Sequence, residues 1–103
     1  MLAKELFFAI QFAPDTIGRS AATYFSWVEE LIGKEAIPQV EPFLNSADPL
    51  VRYQAAWWLS FRKVDAAVLD ELKKTSQDHN VEEWARSGAS ERLRDMAEGR
   101  YLP

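Results

Sequence analysis

Apolar positions recur at helical spacing along nearly the whole chain, and no segment alternates in the manner of a strand. Taking about 100° per residue, Ile17, Ala21, Tyr24, Phe25, Val28 and Ile32 share one stripe, and Val51, Ala55, Trp58 and Leu59 share another. Val81, Ala85, Gly88, Ala89, Leu93 and Met96 make a weaker third. Turn residues divide the pattern into six helices, expected over about residues 2–12, 16–32, 35–45, 49 to 62 or 63, 66–75, and a last one opened by residues 78–80 and ending near Gly99.

The boundaries have physical reasons. Asp15, Asp48 and Asp65 stand where a carboxylate accepts from the free amides of a first turn, and Gly33 stands where a left-handed residue closes a helix. Pro49 follows Asp48 directly and has its backbone angle pre-set for a first helical position. Pro38 fits a first turn, whereas Pro42 is expected to kink or shorten the third helix. Six consecutive helices make three antiparallel hairpins, about residues 2–32, 35–62 and 65–98, in one domain spanning 1–103. The expected fold class is therefore all-α, an α-α superhelix, with residues 100–103 a frayed or docked tail.

One motif recurs. Aligning Asp48 with Asp78 also pairs Val51 with Val81 and Ala55 with Ala85, an offset of thirty residues that points to stacked repeats. The run Asp48-Pro49-Leu50-Val51-Arg52, followed by Ala55, Ala56 and Leu59, resembles the short HEAT-like repeats in which the second helix opens with Asp-x-x-Val-Arg. The flanking units depart from that pattern, with Gly18 and Glu82 at the arginine position. The resemblance implies a hydrogen-bonded ladder between units, which would fall to Asp48, Arg52 and Asp78 or Asp15. It also implies a binding scaffold: most such repeats hold a protein partner, some hold nucleic acid, and a few belong to lyases or glycosylases.

Composition narrows the chemistry. A chain of 103 residues with 48% apolar residues supports one core, and the absence of cysteine excludes disulfides, thiolate nucleophiles and cysteine zinc sites. The apolar N-terminus is interrupted by Lys4, Glu5 and Gln11 and lacks a small-x-small cleavage site, so it reads as an ordinary helix. No stretch approaches the roughly 20 apolar residues of a membrane span, and a cytoplasmic location is the expectation. The net charge of −4 lies in the first half: residues 1–50 hold Lys4, Arg19 and Lys34 against seven acids, and Glu29, Glu30, Glu35 and Glu41 gather around one turn. Such a turn repels phosphate and favours a basic partner.

Candidate binding residues are aromatic. Trp27, Trp57 and Trp84 lie ten, six and three residues after the first core residue of their helices. At about 100° per residue all three fall off the core stripe. Such a row suits either a binding ridge or packing between hairpins, and Trp57 with Tyr53 and Phe61 is the strongest group. In the first helix, Phe8 and Phe12 lie opposite Leu6, Ile10 and Ala13, so its second face needs cover from neighbouring helices, a partner or a second copy, making a homo-oligomer one arrangement that would satisfy it.

Catalysis finds little purchase. His79 is the lone histidine, and Glu29-Glu30 and Glu82-Glu83 are adjacent pairs that diverge by about 100° on a helix. There is no phosphate loop and no nucleophile elbow, so no enzyme, cofactor or metal is expected. Arg52, Arg62, Lys63, Arg86, Arg92, Arg94 and Arg100 raise a nucleic-acid alternative, yet nine acids are interspersed among the nine bases of that half. The expected function is non-catalytic protein binding through an aromatic and acidic surface comprising Trp57, Tyr53, Phe61, Trp27, Trp84, Glu29 and Glu30. An immunity or antitoxin protein and an adaptor both fit; the alternatives are a nucleic-acid binder and a small accessory protein of a lyase-type enzyme.

Overall fold

In the computed structural model of the protein, residues 20–103 are described. The expectations for the first helix, its oligomerising face, the Asp15 cap, Ile17 and Gly18 lie outside the described residues. The remainder forms α1 (Ala21–Ile32), α2 (Ala36–Val40), α3 (Pro49–Leu59), α4 (Ala66–Gln77) and α5 (Glu83–Ala97). Helix makes up 76% of the described residues and strand none, so the core is built from helix on helix alone.

Local chemistry sets the ends. Gly33 adopts φ 64° and its N–H donates to the Glu29 carbonyl, closing α1 as a left-handed cap. Pro42, which has no amide hydrogen to donate, leaves α2 only five residues long, flanked by the 3-10 turns Gly33–Glu35 and Glu41–Asn45. Asp48 accepts from the Leu50 amide at 2.8 Å, and Asp65 accepts from the Val68 amide at 3.0 Å.

Two expected boundaries move. α3 ends at Leu59 rather than at Arg62 or Lys63, because Ser60 turns its hydroxyl back onto the Trp57 carbonyl at 2.6 Å and the chain leaves through a short turn. α5 begins at Glu83, after Asp78 has bonded the Asn80 amide at 2.9 Å in a turn of its own. Asp78 is therefore no counterpart of the Asp48 cap. Val81 precedes its helix whereas Val51 lies within one, although Ala55 and Ala85 are both wholly buried.

The packing has a simple order. The Gln54 side-chain oxygen Oε1 accepts from the Ala22 amide at 3.0 Å, the Trp58 indole donates to Ser26 at 3.2 Å, and Arg62 donates to Glu29. Partners on the two segments advance together, so α1 and α3 run parallel, side by side. The same holds between α3 and α5, where Tyr53 meets Trp84 and Arg92 meets Ser60. α3 thus lies between two parallel neighbours, with α2, its following turn and α4 packed across it. The shortest dimension of the molecule, 18 Å, has room for two such helix layers.

Covered on both flanks and across its back, α3 buries Val51, Tyr53, Gln54, Ala55, Ala56, Trp58 and Leu59. Phe25 packs against Trp58 and Phe43, with ring centroids 6.2 and 5.4 Å apart. On the other flank α5 presents Gly88 to Tyr53. A methyl group there would lie 2.1 Å from the Tyr53 hydroxyl, far inside van der Waals contact. Gly88→Ala is therefore expected to lower stability by about 1–2 kcal/mol, the clash outweighing the helix propensity gained. Chemical denaturation of Gly88→Ala with and without Tyr53→Phe tests this. Loss of the hydroxyl should restore part of the deficit, and equal deficits in both backgrounds would remove Tyr53 as its cause.

Candidate functional site

The C-terminal end of α3 organises the most unusual group in the molecule. Arg92, on α5, sits at the position that continues the Ala85 and Ala89 stripe and is only 1% exposed. Its Nε donates to the Ser60 hydroxyl at 2.7 Å, and one Nη2 donates to the Ser60 carbonyl at 2.9 Å and to the Tyr101 carbonyl at 2.6 Å. Nη1 reaches the Arg100 carbonyl at 3.3 Å. The guanidinium lies 3.8 Å above the Phe61 ring. Neutral oxygens and a π face hold this cation, with no direct carboxylate bond among the described residues. Burial lowers its pKa from the ordinary arginine value, and the nearby Asp95 charge works in the opposite sense.

Arg92 docks the tail. The Arg100 amide donates to the Asp95 carbonyl at 2.7 Å, and its guanidinium binds Asp95 at 3.0 Å and also Glu98. Tyr101 is thereby held at φ 57°, a left-handed conformation uncommon for a residue with a side chain, with its ring 6.4 Å from that of Phe61. Trp57 meets Phe61 edge-on at 5.0 Å. Between α3, α5 and the tail these groups enclose a cleft of about 330 Å³ lined by Trp57, Phe61, Gly88, Glu91, Arg92, Asp95 and Tyr101.

The residues singled out from the sequence separate into three groups. Trp57 and Phe61 meet at this cleft, half-buried. Tyr53 does not reach the surface: it is 5% exposed, wedged under Trp84 and Gly88, and burial pushes its hydroxyl pKa up to about 12 with Glu91 adding to the effect. Trp84 and Trp27 are exposed at 41% and 44%, away from the cleft lining. Trp84 donates its indole N–H to Glu82 at 2.7 Å.

The acidic turn is partly spent inside the fold. Glu29 takes a bidentate bond from Arg62, 2.7 Å at each oxygen, while the Arg62 guanidinium stacks 3.7 Å from the Trp58 ring. That hydrogen bond holds the Glu29 carboxyl below its usual value, against the opposing effect of desolvation. Glu41 binds Lys63 at 2.8 Å, leaving Glu30 and Glu35 as the exposed acids of the group.

The Asp15 rung of the expected ladder lies outside the described residues. Asp48 caps its own helix, and Arg52 donates to the Ser46 carbonyl at 2.7 Å and pairs with buried Glu71 at 3.4 Å. Asp78, occupied in its turn, takes no part. The arginine of the motif therefore ties α3 to α4, the following helix, through glutamate.

The sequence suggests Arg92 only as one of several arginines for a nucleic-acid alternative, and it does not single out Ser60, Tyr101, Glu91 or Asp95. One signal was legible: an arginine three residues after Ala89 on an apolar stripe, where a long side chain must find buried acceptors. His79 faces Arg86 at 3.1 Å on the surface. Among the described residues no group of three or more His, Cys, Asp or Glu is arranged to hold a metal ion, and no helix is long and apolar enough to cross a membrane. In comparisons with known proteins, no family model matches the chain, and no curated protein or solved structure matches it.

Two outcomes follow from these contacts. Arg92→Ala is expected to cost about 2–3 kcal/mol in urea denaturation and to open the tail beyond Gly99 to carboxypeptidase, with Arg92→Lys a poor substitute because one ammonium cannot span four acceptors. An unaltered tail lifetime would mean that other contacts dock it. For Glu29 the folded pKa is lowered, so its contribution is complete above the usual carboxylate range and fades as pH falls through the folded value. Denaturation at neutral pH and near pH 3 should therefore show Glu29→Gln costing about 1 kcal/mol at neutral pH and progressively less in acid.

Proposed function

We propose that this protein is a non-catalytic protein-binding module built from HEAT-like helical hairpins, its exposed tryptophans and acids forming the partner surface. The hairpin reading is supported by a recurrent spacing. Side-chain hydrogen bonds join Ala22 with Gln54, Ser26 with Trp58, Glu29 with Arg62 and Ser60 with Arg92, each 32 or 33 residues apart. A constant offset across two helix pairs is what stacked repeats of that length would give. The first hairpin would then include residues before Ser20, completing three hairpins and six helices.

The binding reading rests on one observation: Trp27 and Trp84 stand 44% and 41% exposed, while Phe25, Phe43, Tyr53 and Trp58 supply the core. Large aromatics left outside a well-filled core are the residue type most enriched at interface hot spots. Leu31, one helical turn beyond Trp27, is 51% exposed and extends the apolar area on α1. Glu30 and Glu35 add acids that favour a basic partner surface. An immunity protein, an antitoxin and an adaptor all share this requirement.

The nucleic-acid alternative has less support. The open groove bearing Arg86 and Arg94 also carries Glu83 and Glu91, so no continuous basic track is available to phosphates. An accessory role to a lyase-type enzyme would use the same protein-binding surface.

Affinity capture with the full chain, followed by titration of the purified partner, tests the reading. Trp27→Ala and Trp84→Ala are each expected to weaken binding about tenfold, and Glu30→Lys about fivefold, with the helical circular-dichroism spectrum unchanged. Partner affinity indifferent to all three substitutions would refute this surface. Salt-sensitive retardation of duplex or single-stranded nucleic acid, without a protein partner, would favour the alternative.

A further inference from the structure

We propose that the cleft between the end of α3, α5 and the C-terminal tail receives one cationic side chain, lysine or arginine, from the protein partner. This rests on the protein-binding reading and adds the chemistry of one contact.

The walls are suited to a cation. Trp57 and Phe61 meet edge-on at 5.0 Å, and Tyr101 closes the third side at 6.4 Å from Phe61. One face of Phe61 already carries a cation, the Arg92 guanidinium at 3.8 Å. Trp57, the ring type that binds cations best, stands half-buried at the opening. A cleft of about 330 Å³ is at the small end for a ligand pocket and matches one long side chain better than a folded segment.

Charge decides between occupants. Glu91 and Asp95 are four residues apart on α5 and so project from one face, where both line the cleft. Asp95 is engaged by Arg100, but Glu91 is exposed and has no ion-pair partner among the described residues. The positive group in the wall, Arg92, has four oxygen acceptors around it. Those neutral acceptors leave the Arg92 charge in place, but the wall sets two carboxylates, Glu91 and Asp95, against that one guanidinium, and Arg100 is shared with Glu98, so the net charge at the cleft is negative. An anion would meet Glu91 and find the donors of Arg92 largely occupied, while a neutral apolar group would leave Glu91 without a counterion.

Tyr101 supplies an independent argument. Its left-handed backbone is unfavourable for a residue with a side chain, and the ring is not buried in return, since the residue is 67% exposed. The Arg92 bond to its carbonyl imposes the conformation, and the result is an aromatic wall presented beside the cleft. Strain of this kind has a use when it prepares a contact in advance.

The test uses the full chain labelled with ¹⁵N, the Trp57 indole resonance as reporter, and three probes: n-butylammonium, n-propylguanidinium and n-butanol. Both cations should shift the indole saturably, and n-butanol should bind at least about fivefold more weakly. Glu91→Gln and Tyr101→Ala, both exposed positions, should each weaken the cations about fivefold while leaving the fold intact. With the purified partner, the same two variants should reduce affinity, and replacement of one partner lysine or arginine should make it insensitive to them. No saturable shift, equal binding of n-butanol, or indifference to Glu91→Gln would overturn the cation site. If the cations bind but partner affinity ignores both cleft variants while responding to Trp27→Ala and Trp84→Ala, the protein-binding reading survives and the proposed occupant is wrong. If the cations bind and no protein partner exists, the reading itself has failed, and the partner side chain with it.

Discussion

The enclosure of α3 is the constraint on which the rest of the structure depends. A helix with neighbours on both flanks and across its back cannot keep a polar face, and α3 places seven of its eleven residues out of solvent. Its polar groups must then be satisfied by neighbours rather than by water. Gln54 bonds the Ala22 amide and the Leu50 carbonyl, and the Trp58 indole finds Ser26, while Ser60 just beyond the helix meets Arg92. Each bond fixes the axial position of a flanking helix relative to α3. Apolar packing alone would tolerate some sliding, but a slide of one turn would leave these groups buried without partners.

The two flanks solve the problem with opposite charge patterns. On the α1 side, Arg62 reaches out from the turn after α3 to Glu29, and its guanidinium covers Trp58. On the α5 side the arginine belongs to the neighbour, and Arg92 reaches inward to oxygens of Ser60 and the tail. Arg62 is partly solvated and has a carboxylate; Arg92 is buried and lacks one. A planar guanidinium with several donors can do both, by spreading its charge over carbonyls and a π face where no carboxylate bonds it directly among the described residues. The consequence at the α5 flank is a docked tail and an open cleft.

Much of the local structure was legible because it is locally determined. Asp48-Pro49, Asp65 and Gly33 act through amides a few residues away, so their sequence context contains the whole interaction. Pro42 shortened its helix for the same reason. The errors arose where a neighbour decided the outcome. Tyr53 lies off the Val51–Ala55–Leu59 stripe and reads as lateral, but a one-stripe analysis assumes a helix covered on one side, and α5 covers the second. Glu29 reads as surface acid because Arg62 lies 33 residues away in sequence. Asp78 repeats Asp48 in letter only: without a proline after it, the chain makes a turn and delays α5 to Glu83. Of the group Trp57, Tyr53 and Phe61 that the sequence suggests, Trp57 and Phe61 meet, whereas the Tyr101 wall depends on a tail whose course Arg92 sets.

These distinctions bear on where function can lie. A side chain whose removal would empty a core or strand a buried donor has a sufficient reason to be present, and Tyr53, Trp58, Arg52 and Glu29 all have one. Trp27 and Leu31 have none within the described contacts, and Trp84 has only an edge contact with Tyr53 and a bond to Glu82. Tyr101 goes further, holding an unfavourable backbone conformation while its ring remains largely in water. Contacts among the described residues account for the first group and not for the second. Aromatic surface of this kind, beside a carboxylate with no ion pair among the described residues, is what the proposed partner surface would use.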